Sequence, residues 1–166
     1  MKKILMVCLG NICRSPVAEG LMKSKAEQHK LNILVDSAGT SGWHEGNAPD
    51  ERSAANALKH GVDIREQKSR PFKKSDFDNF DLIFAMDQSN YNNLVSICPP
   101  QHLQKVRMIL NESFPGSNKQ VPDPYWNDDG FDKVFKMLDE ACEAIVKKAS
   151  PNLSKGGALK ASLNLK

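Results

Sequence analysis

The chemistry of this sequence concentrates in one short stretch. Cys8-Leu9-Gly10-Asn11-Ile12-Cys13-Arg14-Ser15 separates a cysteine from an arginine by five residues, with a serine and then Pro16 opening a helix. Between a strand end and a helix N-terminus, backbone N–H groups can point inward, and the helix dipole adds positive potential. Such a nest suits a dianionic phosphate. Gly10 can take the positive φ that a tight loop demands, and Asn11 tolerates it better than most residues. Arg14 offers a planar fork for two phosphate oxygens. The N–H groups, the helix end, Arg14 and the Ser15 hydroxyl all favour Cys8 as a thiolate, the form that attacks phosphorus. A cysteine ending a strand is ordinarily a small buried hydrophobe. Here Cys, Gly, Asn, Arg, Ser and Pro all fit one anion-binding loop, so the catalytic reading prevails. No Lys-Ser/Thr follows the glycine, which excludes a nucleotide P-loop. Cys8 and Cys13 lack the spacing of zinc ligands, so neither a metal site nor a cofactor is expected.

The elements that must hold this loop follow from apolar patterning. Ile4–Val7 reads as a buried strand, and Pro16 to about His29 as a helix with Ser15 at its N-cap. Ile33–Val35 is a second strand, followed by a loop through Ser37, Gly39 and Trp43. Residues 49–60 read as a helix stopped by Gly61. Leu82–Ala85 is a strand, Ser89–Ile97 a helix, Val106–Leu110 a fourth strand, and 116–124 a loop. Phe131, Val134, Phe135, Leu138, Cys142 and Ile145 recur on one helical stripe. Strand–helix alternation predicts an α/β single domain, a parallel twisted sheet with helices on both faces. Ligands of such sheets sit beyond the carboxyl ends of the strands.

Composition narrows the function classes. The chain has 166 residues, 26% of them charged, which suits one globular domain. Its formal net charge of +3 misleads, because residues 147–166 hold five lysines and no acid, leaving the rest at −2. No basic cluster in the folded part suits nucleic acid. The domain is expected over residues 1–149, with 150–166 a basic, solvated C-terminal extension. The apolar run at Ile4–Val7 is too short for a signal peptide, and nothing approaches the ~20 apolar residues of a membrane span. The protein is expected to be cytoplasmic, not membrane-integral and mostly monomeric. Its four cysteines do not form a disulfide framework.

At these residues the sequence closely resembles the low-molecular-weight protein tyrosine phosphatases, over about residues 2–148. The likeness rests on Val7 to Pro16, Asp36-Ser37-Ala38-Gly39-Thr40, Phe80 to Asp87, and Val121-Pro122-Asp123-Pro124-Tyr125-Trp126. It implies a four-stranded parallel sheet and hydrolysis of phosphotyrosine proteins, or other aryl phosphate monoesters, through a cysteinyl-phosphate intermediate. It also implies that inorganic phosphate and other oxyanions occupy the site. An Asp-Pro pair alone is more often a turn. The resemblance makes Asp123 the general acid for the leaving phenolate, then the base for the hydrolytic water. It places Trp43, Tyr125 and Trp126 on the pocket walls, Leu9, Gly10, Asn11, Ile12, Cys13 and Ser15 in the phosphate loop, and Asn11 and Ser37 as holders of its shape. Relatives often carry His where this chain has Gln67, so Gln67 must take over loop support or that support is missing. Asp128, Asp129 and Asp132 read as a helix start, and His60 as a helix-end residue.

Cys13, five residues after Cys8, could bridge to an oxidised Cys8 and protect it from further oxidation. Three rivals are weaker. A thioredoxin-coupled arsenate reductase needs two further cysteines on a mobile segment, and Cys98 has no partner near it in sequence. A protein-arginine phosphatase would have Thr in place of Ile12. A non-catalytic phosphotyrosine-binding module would not need Cys8, Arg14 and Asp123 together.

Overall fold

The computed structural model describes residues 1–150. Four parallel strands stand in the order β2-β1-β3-β4, with β1 Lys2–Cys8, β2 Ile33–Gly39, β3 Leu82–Ala85 and β4 Val106–Met108. The helices are α1 Arg14–Gln28, α2 Glu51–Lys59, α3 Asp76–Asn79, α4 Gln88–Ile97 and α5 Gly130–Ala149. Alternation along β1 sorts the core into two layers. Ile4, Met6 and Cys8 pack with α1, α2 and α5, while Leu5 and Val7 pack with Phe77, Phe80 and Leu94 of the α3–α4 side. The predicted fold class therefore stands, with helices on both faces.

The order 2-1-3-4 matters for the site. Chain progression reverses between β1 and β3, and this switch point is where open α/β sheets leave a crevice. The loop after β1 opens there. Behind it, β1 pairs with β2 as far as Cys8 opposite Gly39 and with β3 as far as Val7 opposite Ala85.

Several boundaries differ from expectation, β1 itself starting at Lys2 and ending at Cys8. β2 runs on to Gly39, because Asp36–Gly39 continues the ladder beside the end of β1 and Gly39 pairs with Pro71 on its other side. β4 stops at Met108, where a 3-10 turn takes over at Ile109–Asn111. α1 begins at Arg14, with Cys13 at the cap position, so Ser15 is not the N-cap. Its hydroxyl is used inside the site instead. The basic extension lies, beyond Ser150, outside the described residues. Among the described residues no helix is long and apolar enough to cross a membrane.

Candidate active site

Cys8 closes β1 and is buried, with Sγ 3.0 Å from Ser15 Oγ and accepting the Asn11 backbone N–H at 3.3 Å. Asn11, not Gly10, takes the positive φ, at 55°. Asparagine tolerates that conformation, and this one is held by its own side chain. A Cβ at Gly10 would lie 3.0 Å from the His44 ring, a tight contact to which that side chain would have to give way. Gly39 is more tightly constrained. A Cβ would meet the Leu9 carbonyl at 2.8 Å and the Ser41 carbonyl at 2.9 Å, both rigid backbone.

A buried hydrogen-bond chain runs from the surface to Cys8. Lys23 Nζ pairs with Glu19 Oε2 at 2.7 Å. Ser37 Oγ donates to Glu19 Oε1 at 2.7 Å, and Asn11 Nδ2 donates to Ser37 Oγ at 2.9 Å and to Ser15 Oγ at 2.8 Å. The Arg70 backbone N–H donates to Asn11 Oδ1, which fixes the amide's orientation. A carboxylate accepts only, so Glu19 sets the direction of the whole chain. Ser15, already accepting from Asn11, has its proton free for Cys8.

Arg14 is buried and tethered. Its Nη1 donates to Asp87 Oδ2 at 2.7 Å and to the Val121 carbonyl at 3.0 Å, and its Nη2 lies 3.8 Å from Asp123 Oδ2. Burial opposes its charge, but Cys8, Asp87 and Asp123 outweigh burial and hold its pKa above the ordinary value. Asp87 has a second duty as N-cap of α4, its Oδ1 accepting the Asn90 N–H at 2.8 Å. Asp123 Oδ1 accepts the Tyr125 N–H at 3.1 Å in an Asx turn.

These groups line one cleft of about 290 Å³, with Cys8, Arg14 and Asp123 joined by Leu9, Gly10, Ile12, Cys13, Trp43, His44, Tyr125 and Trp126. Trp43 and Trp126 are 79% and 85% exposed, so they form an open rim rather than a closed slot. The Tyr125 and Trp126 rings meet edge-on, 4.8 Å apart. Cys13 is a buried thiol whose pKa is raised by burial and then by the nearby Asp50 and Cys8. Cys142 lies on the buried stripe of α5, where burial pushes its thiol up to about 12.

Gln67 does not reach the phosphate loop. Its Nε2 donates to the Pro16 carbonyl in the first turn of α1, and Arg70, Ser37 and Ser15 hold Asn11 instead. His60 ends α2 as expected, stacks on Phe135 and meets Asp132 at 2.7 Å. Asp129 and Asp132 flank the start of α5, whereas Asp128 pairs with Arg52. Sequence reasoning missed Glu19, His44, Arg52, Arg70 and Asp87 as site-building residues. Asp87 alone left a signal, standing just past the carboxyl end of β3.

A thiol at the end of β1 beside a helix N-terminus, a buried arginine next to it and a carboxyl group across the cleft are the parts that a cysteine-dependent phosphate-ester site requires. The low molecular weight phosphotyrosine protein phosphatase family model matches residues 3–155, and the chain belongs to that family. A family member from Schizosaccharomyces pombe is 39% identical over 149 residues, covering 87% of this chain and 95% of the relative. A crystal structure of a protein tyrosine phosphatase from Entamoeba histolytica superposes with TM-score 0.86 at 41% identity, covering 92% of this chain and 99% of that one. Wzb from Vibrio vulnificus, solved in complex with benzylphosphonate, superposes with TM-score 0.78 at 29% identity over 89% and 98% of the two chains. The protein is thus a protein-tyrosine phosphatase of the low molecular weight class.

Proposed function

We propose that Cys8 attacks the phosphorus of a phosphotyrosine side chain while Asp123 protonates the leaving phenolate. A phosphocysteine forms, and Asp123 then takes a proton from the water that hydrolyses it. Arg14 and the loop N–H groups bind the phosphoryl oxygens in both steps, and Trp43, Tyr125 and Trp126 flank the substrate ring. The chemistry needs no metal or other cofactor, and free phosphate competes as an oxyanion. The neighbour that holds benzylphosphonate supports an aryl-bearing oxyanion in this cleft. The protein is expected to act as a cytoplasmic monomer. In this scheme Cys13 is the thiol that captures an oxidised Cys8.

One observation carries the reading. Cys8 Sγ accepts from Asn11 N–H and faces Ser15 Oγ in the cleft where Arg14 and Asp123 stand 3.8 Å apart. Nucleophile, oxyanion donor and proton donor thus share one small volume. Arsenate reduction fits less well, since Cys142 is fully buried in α5 and Cys98 lies beyond α4, neither of them lining the cleft.

The test is turnover on phosphotyrosine, phosphoserine and phosphoarginine peptides, with arsenate as a further substrate. Phosphotyrosine should be strongly preferred, and acid-quenched enzyme should carry phosphate on Cys8. Cys8→Ser should bind phosphate esters without turning them over, because a hydroxyl is not ionised at neutral pH. Cys8→Ser activity within tenfold of the parent would overturn the assignment.

A further inference from the structure

The first turn of α2 touches both halves of the cleft. Toward the phosphate loop, the Asp50 N–H donates to the Ile12 carbonyl at 2.8 Å and Ser53 Oγ to the Cys13 carbonyl at 2.8 Å. Toward the loop of Asp123, a single side chain makes the connection. Arg52 Nη1 donates to Asp128 Oδ1 at 2.5 Å, and Nη2 to the Tyr125 carbonyl at 3.0 Å. The guanidinium is itself fixed, because Asp50 receives Nε at 3.2 Å and Nη2 at 3.1 Å. It also lies 5.5 Å from the Tyr125 ring centroid and 4.8 Å from that of Phe131.

Asp123 therefore sits between two arginine anchors. On its N-terminal side, Val121 is held by Arg14 through its carbonyl and by Met86 through its N–H. On its C-terminal side, Tyr125 and Asp128 are held by Arg52. The carboxyl group itself depends on that second anchor, since it accepts the N–H of Tyr125, whose carbonyl Arg52 grips.

We propose that Arg52 is a positioning residue for the general acid, and that through Asp50 it sets the distance between the phosphate loop and the acid loop. The proposal rests on the role of Asp123 given above. Arg52 touches no reacting atom in this scheme. Its planar fork reaches a carboxylate on its own helix, a carboxylate across the cleft and a backbone carbonyl together, a task for which lysine's point charge has the wrong geometry. Losing it would leave Arg14 and the phosphate loop in place and let the segment 123–128 drift. A general acid displaced by a fraction of an ångström protonates poorly.

The experiment compares the parent, Arg52→Ala, Arg52→Gln and Arg52→Lys on aryl phosphates whose leaving phenols span a wide pKa range. For the phosphotyrosine-like, poor leaving groups, kcat/KM of Arg52→Ala should fall about tenfold, less than the ~10²–10⁴ expected for removing the acid itself. For dinitrophenyl phosphate, which needs little protonation, the change should stay within about twofold, and Arg52→Lys should recover only part of the loss. Alkylation of Cys8 by iodoacetate should proceed at the parent rate in all three variants. In an Asp123→Asn background, Arg52→Ala should cost almost nothing further, because both changes remove one function.

An equal loss across the leaving-group series, or full additivity with Asp123→Asn, would overturn the proposal. Should Arg52→Ala prove poorly folded by its thermal transition, Arg52→Gln, which keeps the side chain's length, carries the same comparison. Failure of the underlying reading shows differently: Asp123→Asn by itself would then lack leaving-group dependence.

Discussion

Asp87→Asn is a demanding perturbation because it keeps size and shape and still cannot satisfy both partners. The carboxylate divides its oxygens, Oδ1 accepting from the Asn90 N–H and Oδ2 from Arg14 Nη1. Asparagine has one oxygen. If that oxygen keeps the cap of α4, its amide N–H₂ faces a buried guanidinium and repels it. If it turns to Arg14, the cap is lost, at about 1 kcal/mol. The charge-assisted bond to Arg14 is worth about 1.5–3 kcal/mol. Arg14 is 2% exposed, so water cannot take over that role. The Val121 carbonyl remains as a partner, which keeps the cost below the ~3–5 kcal/mol of a fully broken buried pair. Stability should therefore drop by about 1–3 kcal/mol in urea titration. If the misplaced Arg14 forfeits the same energy in the transition state, kcat/KM falls about 5–150-fold. Competitive inhibition by inorganic phosphate reports oxyanion binding independently and should weaken in parallel. Parental stability together with parental phosphate inhibition in Asp87→Asn would refute the argument that this carboxylate sets Arg14.

Asp123→Asn should lower kcat/KM by about 10²–10⁴ on aryl phosphates, with the loss shrinking as the leaving group becomes more acidic; a steady-state leaving-group series measures it. Gly39→Ala forces a methyl group against the Leu9 and Ser41 carbonyls, so it should cost about 1–3 kcal/mol in urea titration and reduce turnover, because Leu9 belongs to the phosphate loop. Cys13 has a raised pKa from burial and from Asp50, so its thiolate is the scarce form at neutral pH. Capture of an oxidised Cys8 should then quicken by about tenfold per unit as pH rises from 7 to 9, followed by mass spectrometry of the linked peptide. A pH-independent rate would remove Cys13 from that role.

The sheet and the phosphate loop were legible in the sequence for a physical reason. Both are local: Ile4–Val7 is a continuous apolar run, and Cys8 to Ser15 carries its whole chemical logic within one turn of chain. What the sequence could not show are the long-range partners. Asp87 lies 73 positions from the arginine it holds, and Asp128 lies 76 from Arg52. No periodicity or spacing rule connects such residues; only the order of strands brings β1, β3 and the first turn of α2 together. Glu19 shows the same limit. On a helix its spacing suggests a surface pair with Lys23 at i+4, and that pair exists, yet its other oxygen is buried against Ser37 and directs the hydrogen bonds that end at Cys8.

Ser15 and Asn11 depart together from default behaviour. Residue preference makes Ser15 the cap of α1 and offers both Gly10 and Asn11 for the positive φ. In the structure Asn11 adopts φ 55° itself, and its side chain is held by Ser15, Ser37 and Arg70. Those bonds offset the strain of a non-glycine residue in that region. They also take Ser15 away from the helix end and turn its proton toward sulfur. The site thus departs from local preference at two adjacent tasks, and the same asparagine accounts for both. A change at Asn11 should accordingly disturb loop shape and the Ser15–Cys8 contact together, whereas a change at Ser15 should remove that contact and leave the shape largely intact.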